Sequence, residues 1–235
     1  GLLTLQRGAL TWPGIQGRVA GVLGLSAYLL GFSLAYRGLD AGTGALVLFG
    51  TVQVTMFAGA LIQQEPVPAR RWAGAGLALI GLTLIAAPSG GALLPLGLMA
   101  LAGIGWGIYS LAGRGAKDPV AATAWNFILS LPLVLPIGFA SGLANPDAVG
   151  VALAILSGAV TSGLGYALWY RLLPRLGSTR AAVAQLTVPV IAALGGSLLL
   201  AEVPGLWLWF ASALVLGGVA VASLPYRALP NRSTQ

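Results

Sequence analysis

Apolar residues fill eight long stretches of this chain, and short polar gaps separate them. The stretches are residues 17–36, 43–63, 71–88, 92–112, 120–140, 149–170, 180–201 and 206–225. Each holds about 18–22 residues, enough for an α-helix rising about 1.5 Å per residue to cross a hydrocarbon core of about 30 Å. The gaps alternate in charge. Those on the side of residues 1–16 carry Arg7, Arg18, Arg70, Arg71, Arg114, Lys117, Arg171, Arg175, Arg180, Arg227 and Arg232, which is 11 of the 12 basic residues. The opposite side carries only Arg37. Moving basic residues across a bilayer during insertion is costly, so the first side is expected to be cytoplasmic. An even number of spans returns the C-terminus to the same side.

Composition supports the lipid environment. Only 7% of residues are charged and 57% are hydrophobic, against about 25% charged in a soluble protein. Mean hydropathy is +0.91. The net charge of +7 does not point to nucleic acid. The basic residues are spread over five short loops or tails, and orientation already accounts for them. Arg outnumbers Lys 11 to one, with abundant Ala and Gly, which suggests a GC-rich bacterial genome and a bacterial inner membrane.

Several chemistries are excluded by what is missing. The chain has no Cys and no His, so a disulfide, a thiolate nucleophile, the usual zinc ligands and the commonest general base are absent. No Gly-rich loop precedes a Lys-Ser or Lys-Thr pair, so nothing points to a nucleotide-driven motor. All five acidic residues stand at segment ends or in loops. No cofactor, metal or catalytic role is expected.

An internal repeat organises the chain. Leu34-Ala-Tyr-Arg37 resembles Leu168-Trp-Tyr-Arg171 at an offset of 134 residues. Downstream, Glu65, Trp72 and Pro88 match Glu202, Trp209 and Pro225 at one shared offset of 137. Segments one to three therefore match segments six to eight. A displacement of five spans reverses direction through the membrane, the arrangement that inverted-repeat transporters use.

The run Ser162-Gly-Leu-Gly-Tyr-Ala-Leu-Trp-Tyr-Arg171, the turn Gly-Ser-Thr-Arg, the stretch Ala181-Ala-Val-Ala-Gln-Leu-Thr-Val-Pro-Val190 and the closing Leu199-Leu-Ala-Glu202 carry a family likeness. They resemble the second half of an EamA-type member of the drug/metabolite transporter superfamily. Residues 32–65 resemble the matching part of the first half, and Gly103-Ile-Gly-Trp-Gly-Ile-Tyr-Ser110 resembles the helix opening the second. The likeness implies an all-α polytopic bundle built as two inverted five-helix repeats. Here about eight spans make an incomplete version, one transmembrane domain over residues 1–235, with 17–88 as a partial first repeat and 92–225 as the second. A helix pair matching segments four and five is expected before residue 17. The first repeat also has Thr51-Val-Gln53 where the second has Pro189.

Candidate pathway residues follow from polar or aromatic character inside a span. Gln53 is central in segment two, and a buried amide needs a partner helix, water or a solute. Thr51 and Thr55 lie on another face and are expected to bond back to their own helix. Trp106, Tyr109 and Ser110 share one face of segment four, fitting either a solute wall or packing beside Gly103, Gly105 and Gly107. Ser162 and Tyr166 form a similar stripe with Trp169 in segment six. Asn126 and Gln185 lie just inside the cytoplasmic ends of segments five and seven, where snorkelling or capping is the other reading. Pro132, Pro136 and Pro189 interrupt their helices, and Pro189 is the candidate hinge. Glycine pairs such as Gly17/Gly21 and Gly103/Gly107 let helices approach closely, within the bundle or in a homodimer. The expected function is secondary transport of a small organic solute, such as an amino acid or other metabolite, in the direction of efflux. Its partners are that solute and the lipid bilayer. The alternative is a non-transporting fragment or a helical subunit of a larger complex.

Overall fold

The computed structural model of the chain describes residues 15, 17–64, 69–86, 93–113, 118–140, 147–164, 187–203 and 205–223. Among these the regular structure is helical throughout. The helices are α1 (Arg18–Ala35), α2 (Ala41–Ile62), α3 (Ala69–Ala86), α4 (Leu93–Gly113), α5 (Pro119–Gly138), α6 (Ala148–Ile155, continued by π-helical turns Leu156–Leu164), α7 (Thr187–Leu199) and α8 (Leu206–Ser223). Each falls on one apolar stretch of the sequence. Four are long and apolar enough to cross a membrane: Arg18–Ala35, Ala41–Gly59, Leu93–Gly113 and Ala121–Gly138. Shorter apolar helices cover Trp72–Gly81, Ala148–Ser162 and Leu206–Ala222.

Bulky side chains face outward. Leu23, Leu101, Ile104, Leu131, Leu133, Ile191 and Leu198 are all exposed, as a bilayer solvent permits. Inside, small residues bring backbones together, because lipid gives helix burial no hydrophobic reward and van der Waals packing must drive association. One close crossing is α1 on α4. A Cβ added at Gly24 would lie 2.7 Å from the Gly105 carbonyl oxygen, and one at Gly105 would lie 2.5 Å from that of Gly24. On its other flank α4 meets α2, where Gly103 and Gly107 receive the side chains of Thr51 and Thr55. A small apolar core of Ala35, Leu46, Met99 and Ala102 joins these three helices to Ala211 and Val215 of α8.

The second close pair, α3 on α8, carries the repeat in its contacts. Gly74 of α3 and Gly218 of α8 meet backbone to backbone, and a Cβ at Gly81 would lie 3.1 Å from the Ala211 carbonyl oxygen. The offset of 137 turns Gly74 into Ala211 and Gly81 into Gly218. It therefore exchanges the two contacts with each other, as a self-complementary pairing of equivalent helices about a two-fold axis requires. The backbone gives an independent sign. Among the described residues, the non-glycine residues with positive φ are Gln64, at 55°, and Ala201, at 56°. They too are 137 apart, and each precedes a glutamate.

The remaining helices differ in their neighbours among the described residues. α5 packs along α1, and α7 crosses α2 near Gly42 and Ala193. By contrast, α6 has no substantial packing partner among the described residues, and its side chains from Ala148 to Thr161 are exposed.

Candidate functional site

Polar residues collect at two places, at opposite ends of α1. The first is a seam between α1 and α5. The buried polar side chains among the described residues are Arg18, Ser26, Asn126 and Ser130, all of them on these two helices. On α1 the seam uses positions 18, 22 and 26. On α5 it uses 122, 126 and 130. Spacing of four keeps each set on one helix face. Arg18 Nη1 donates to the Ala122 carbonyl at 2.8 Å and to Asn126 Oδ1 at 2.6 Å. Ser130 Oγ donates to the Val22 carbonyl at 3.4 Å. Ser26 Oγ is buried without a hydrogen bond. Gly21 makes the seam possible, because a Cβ there would lie 2.8 Å from Asn126 Nδ2.

Aromatic rings connect this end of α1 to the other. Tyr109 OH lies 2.8 Å from Thr123 Oγ1 of α5. Its ring tilts against Trp106 at 5.4 Å, and Trp106 in turn meets Tyr28 of α1 at 4.9 Å. Along α1 the run continues from Tyr28 to Phe32 at 5.4 Å and from Phe32 to Tyr36 at 4.7 Å. Tilted and edge-to-face pairs at these distances suit the ring quadrupoles.

At the far end stands the second polar group. Asp40 holds the N-cap position of α2, but its side chain makes no cap bond. The carboxylate of Glu202, from the link after α7, takes that role. The Ala41 N–H lies 2.9 Å from Glu202 Oε1 and 3.0 Å from Oε2. An anion there meets the unsatisfied N–H groups and the positive end of the helix dipole. The link is folded back sharply. Ala201 adopts φ 56°, and Glu202 N–H donates to the Gly196 carbonyl at 3.2 Å. Gly196 lies directly beneath the carboxylate, so any Cβ there would strike it. Tyr36 completes the corner, donating from its hydroxyl to the Ala41 carbonyl at 3.3 Å and laying its ring over Gly44.

The residues singled out from the sequence are distributed unevenly. Trp106 and Tyr109 join the aromatic run, and Asn126 receives the Arg18 guanidinium. Ser110 Oγ turns back to the Trp106 carbonyl at 2.7 Å. Thr55 does the same to Thr51 at 2.8 Å. Gln53 is half-buried on α2 and has no hydrogen bond among the described residues. Nothing there joins it to the aromatic group. Ser162 is on the π-helical part of α6, away from the others. Pro189 is fully buried in α7. Tyr166 and Gln185 lie outside the described residues.

Sequence reasoning missed three participants. Arg18 counted only as an orientation charge, Tyr28 went unnoticed, and Glu202 marked the repeat without a structural role. The four-residue spacing of Arg18 and Ser26 about Val22, repeated by Asn126 and Ser130, was the available signal for the seam. Among the described residues no group of acidic side chains is arranged to hold a metal ion. The arrangement can bind and fasten helices together.

Comparison with known proteins agrees with this architecture. The profile of the EamA-like transporter family matches residues 93–224. An uncharacterized protein of Pseudomonas aeruginosa is 45% identical over 218 residues, covering 89% of this chain and 74% of that protein. Two uncharacterized transporters of Archaeoglobus fulgidus are also similar. One is 26% identical over 86% of this chain and 74% of its own length. The other is 27% identical over 84% and 73%. No solved structure matches the chain.

Proposed function

This chain belongs to the EamA-like transporter family, and from that premise we propose that it carries a small organic solute across the membrane by alternating access. The observation that supports this most is the reciprocal α3–α8 pairing, which relates equivalent helices of the two repeats as inverted-repeat transporters do. The solute is an amino acid or a metabolite of similar size, and the direction is efflux. The aromatic run through Trp106 and Tyr109, with the seam at Asn126, forms one wall of its path. Gln53, Ser162, Tyr166 and Gln185 supply polar contacts elsewhere along it, and Pro189 bends α7. The amide of Gln53 has no hydrogen bond among the described residues, which supports its part in this reading, since an amide inside lipid needs a partner that water or a solute provides. The Arg18 end is cytoplasmic, and the membrane is a bacterial inner membrane.

The test is flux of a panel of radiolabelled amino acids and related metabolites in proteoliposomes. Gln53→Ala and Trp106→Ala are expected to lower flux of the transported solute by about tenfold while insertion is unchanged. Unchanged flux in both would remove these residues from the path. Absence of flux for every solute would favour a non-transporting helical subunit. Labelling of single cysteines introduced beside Arg114 and Asp147 tests the orientation, which requires opposite compartments.

A further inference from the structure

α6 stands bare where its counterpart α1 is covered. The two helices are equivalent at the offset of 134 that relates Leu34-Ala-Tyr-Arg37 to Leu168-Trp-Tyr-Arg171. α1 is held by α4 and α5, the two helices that open the second repeat. α6 has no comparable neighbour among the described residues, and its side chains from Ala148 to Thr161 are exposed. We propose that α6 and α7 form a docking surface for a helix equivalent to α4, supplied by this protein's own chain on the N-terminal side of α1. The inference does not rest on the transport reading.

Three observations carry it. First, the seat itself is repeated. A Cβ added at Gly24 would lie 2.7 Å from the Gly105 carbonyl oxygen of α4, and one at Gly31 would lie 2.5 Å from that of Leu98. Glycine is needed at both positions because a side chain would hold the two backbones apart. At the offset of 134 both positions are glycine again, as Gly158 and Gly165. A Cβ at Gly158 would meet nothing within 4 Å. Second, α4 acts as a wedge. α1 and α2 make no substantial contact with each other among the described residues, and α4 lies between them, with Gly103 and Gly107 against Thr51 and Thr55. α6 and α7 stand in the same relation, with no substantial contact between them among the described residues. At the offset of 137 Thr51 and Thr55 become Val188 and Ala192, and Val188 is exposed. Third, the operator that relates the repeats is visible in the α3–α8 contacts and in the matched φ of Gln64 and Ala201. An operator that carries α1 onto α6 and α2 onto α7 carries α4 onto the open side of both.

The occupant's place in the chain follows from the order of the segments. α4 and α5 directly precede α6, so their equivalents directly precede α1. The α4 of a second copy does not suit the seat, because its own α1 and α2 already enclose it.

Cross-linking identifies the occupant. On α1 the Ala27 Cβ lies 3.1 Å from a Cβ added at Gly105. Its equivalent on α6 is Thr161, which is exposed. Residues 1–235 contain no cysteine, so Thr161→Cys puts one benzophenone maleimide at the seat. The protein expressed from its full reading frame is labelled in detergent, returned to lipid and irradiated, with the unsubstituted protein as the blank. Mass spectrometry then maps the cross-link. The expected partner is a peptide N-terminal to residue 17, at a yield independent of the protein-to-lipid ratio. Cross-links to lipid alone, to a second copy, or to α1–α8 of the same copy overturn the proposal. Gly158→Leu gives a second measurement. Its unfolding midpoint in micelles is expected to fall by about 5 °C, as that of Gly24→Leu does, because the added side chain overpacks a backbone contact. Gly97→Leu, at a glycine whose Cβ would also meet nothing within 4 Å, is expected to stay within about 1 °C of wild type. A Gly158→Leu midpoint that follows Gly97→Leu overturns the proposal. Neither measurement needs a solute. A docked helix without solute flux therefore leaves the surface standing and removes the transport reading.

Discussion

The two polar attachments at the ends of α1 use similar atoms to opposite effect. At the Arg18 end a cation 7% exposed donates to a carbonyl and an amide oxygen, deep between α1 and α5. At the Ala41 end a half-exposed carboxylate accepts from one backbone N–H across a folded-back link. Breaking the first strands a guanidinium in a place that water does not reach, and a buried cation left without acceptors is among the costliest faults in a membrane protein. Breaking the second leaves a carboxylate that water can solvate and one orphan N–H among the several that any helix start carries. The difference lies in where the charge goes when the bond is lost. One attachment is costly to break, and the other is cheaper.

Substitutions can test that contrast. The largest effect is expected from Asn126→Leu, which removes the amide acceptor and leaves the Arg18 guanidinium short of a partner. Stability should fall by about 2–3 kcal/mol, measured by denaturant unfolding in mixed micelles. A loss no larger than that from Glu202→Ala would make the two ends alike. Glu202→Ala is expected to cost less, about 1 kcal/mol, as removal of a helix cap usually does. Smallest of all is Ser110→Ala, because the Ser110 hydroxyl bonds within its own helix. Stability and solute flux should both stay within about 0.5 kcal/mol of wild type, and a larger drop in flux would return Ser110 to the solute wall.

Much of the architecture was legible in the linear pattern because lipid imposes a length on each span. Every described helix lies on an apolar stretch, and the repeat offset found from Glu, Trp and Pro reappears in Gln64, Ala201 and the α3–α8 contacts. Partner choice was not legible. Gly24 and Gly105 look like any other pair among 35 glycines, since a missing side chain carries no direction. Arg18 was hidden for a different reason. At the start of a span, a charge that orients the chain and a charge that ties two helices together look the same. Asn126 could be read as capping or snorkelling because its partner lies 108 residues away. Glu202 stood in a loop, and only the fold brings it back over a helix 161 residues earlier.

The backbone contact between Gly24 and Gly105 has a mechanical consequence. Two chains that touch carbonyl to Cα have no side-chain cushion to shear, so α1 and α4 must travel as a single beam. Gly74 and Gly218 weld α3 to α8 in the same way. On the transport reading proposed above, any rocking would be taken up at the joints between those two beams, where α2 touches both.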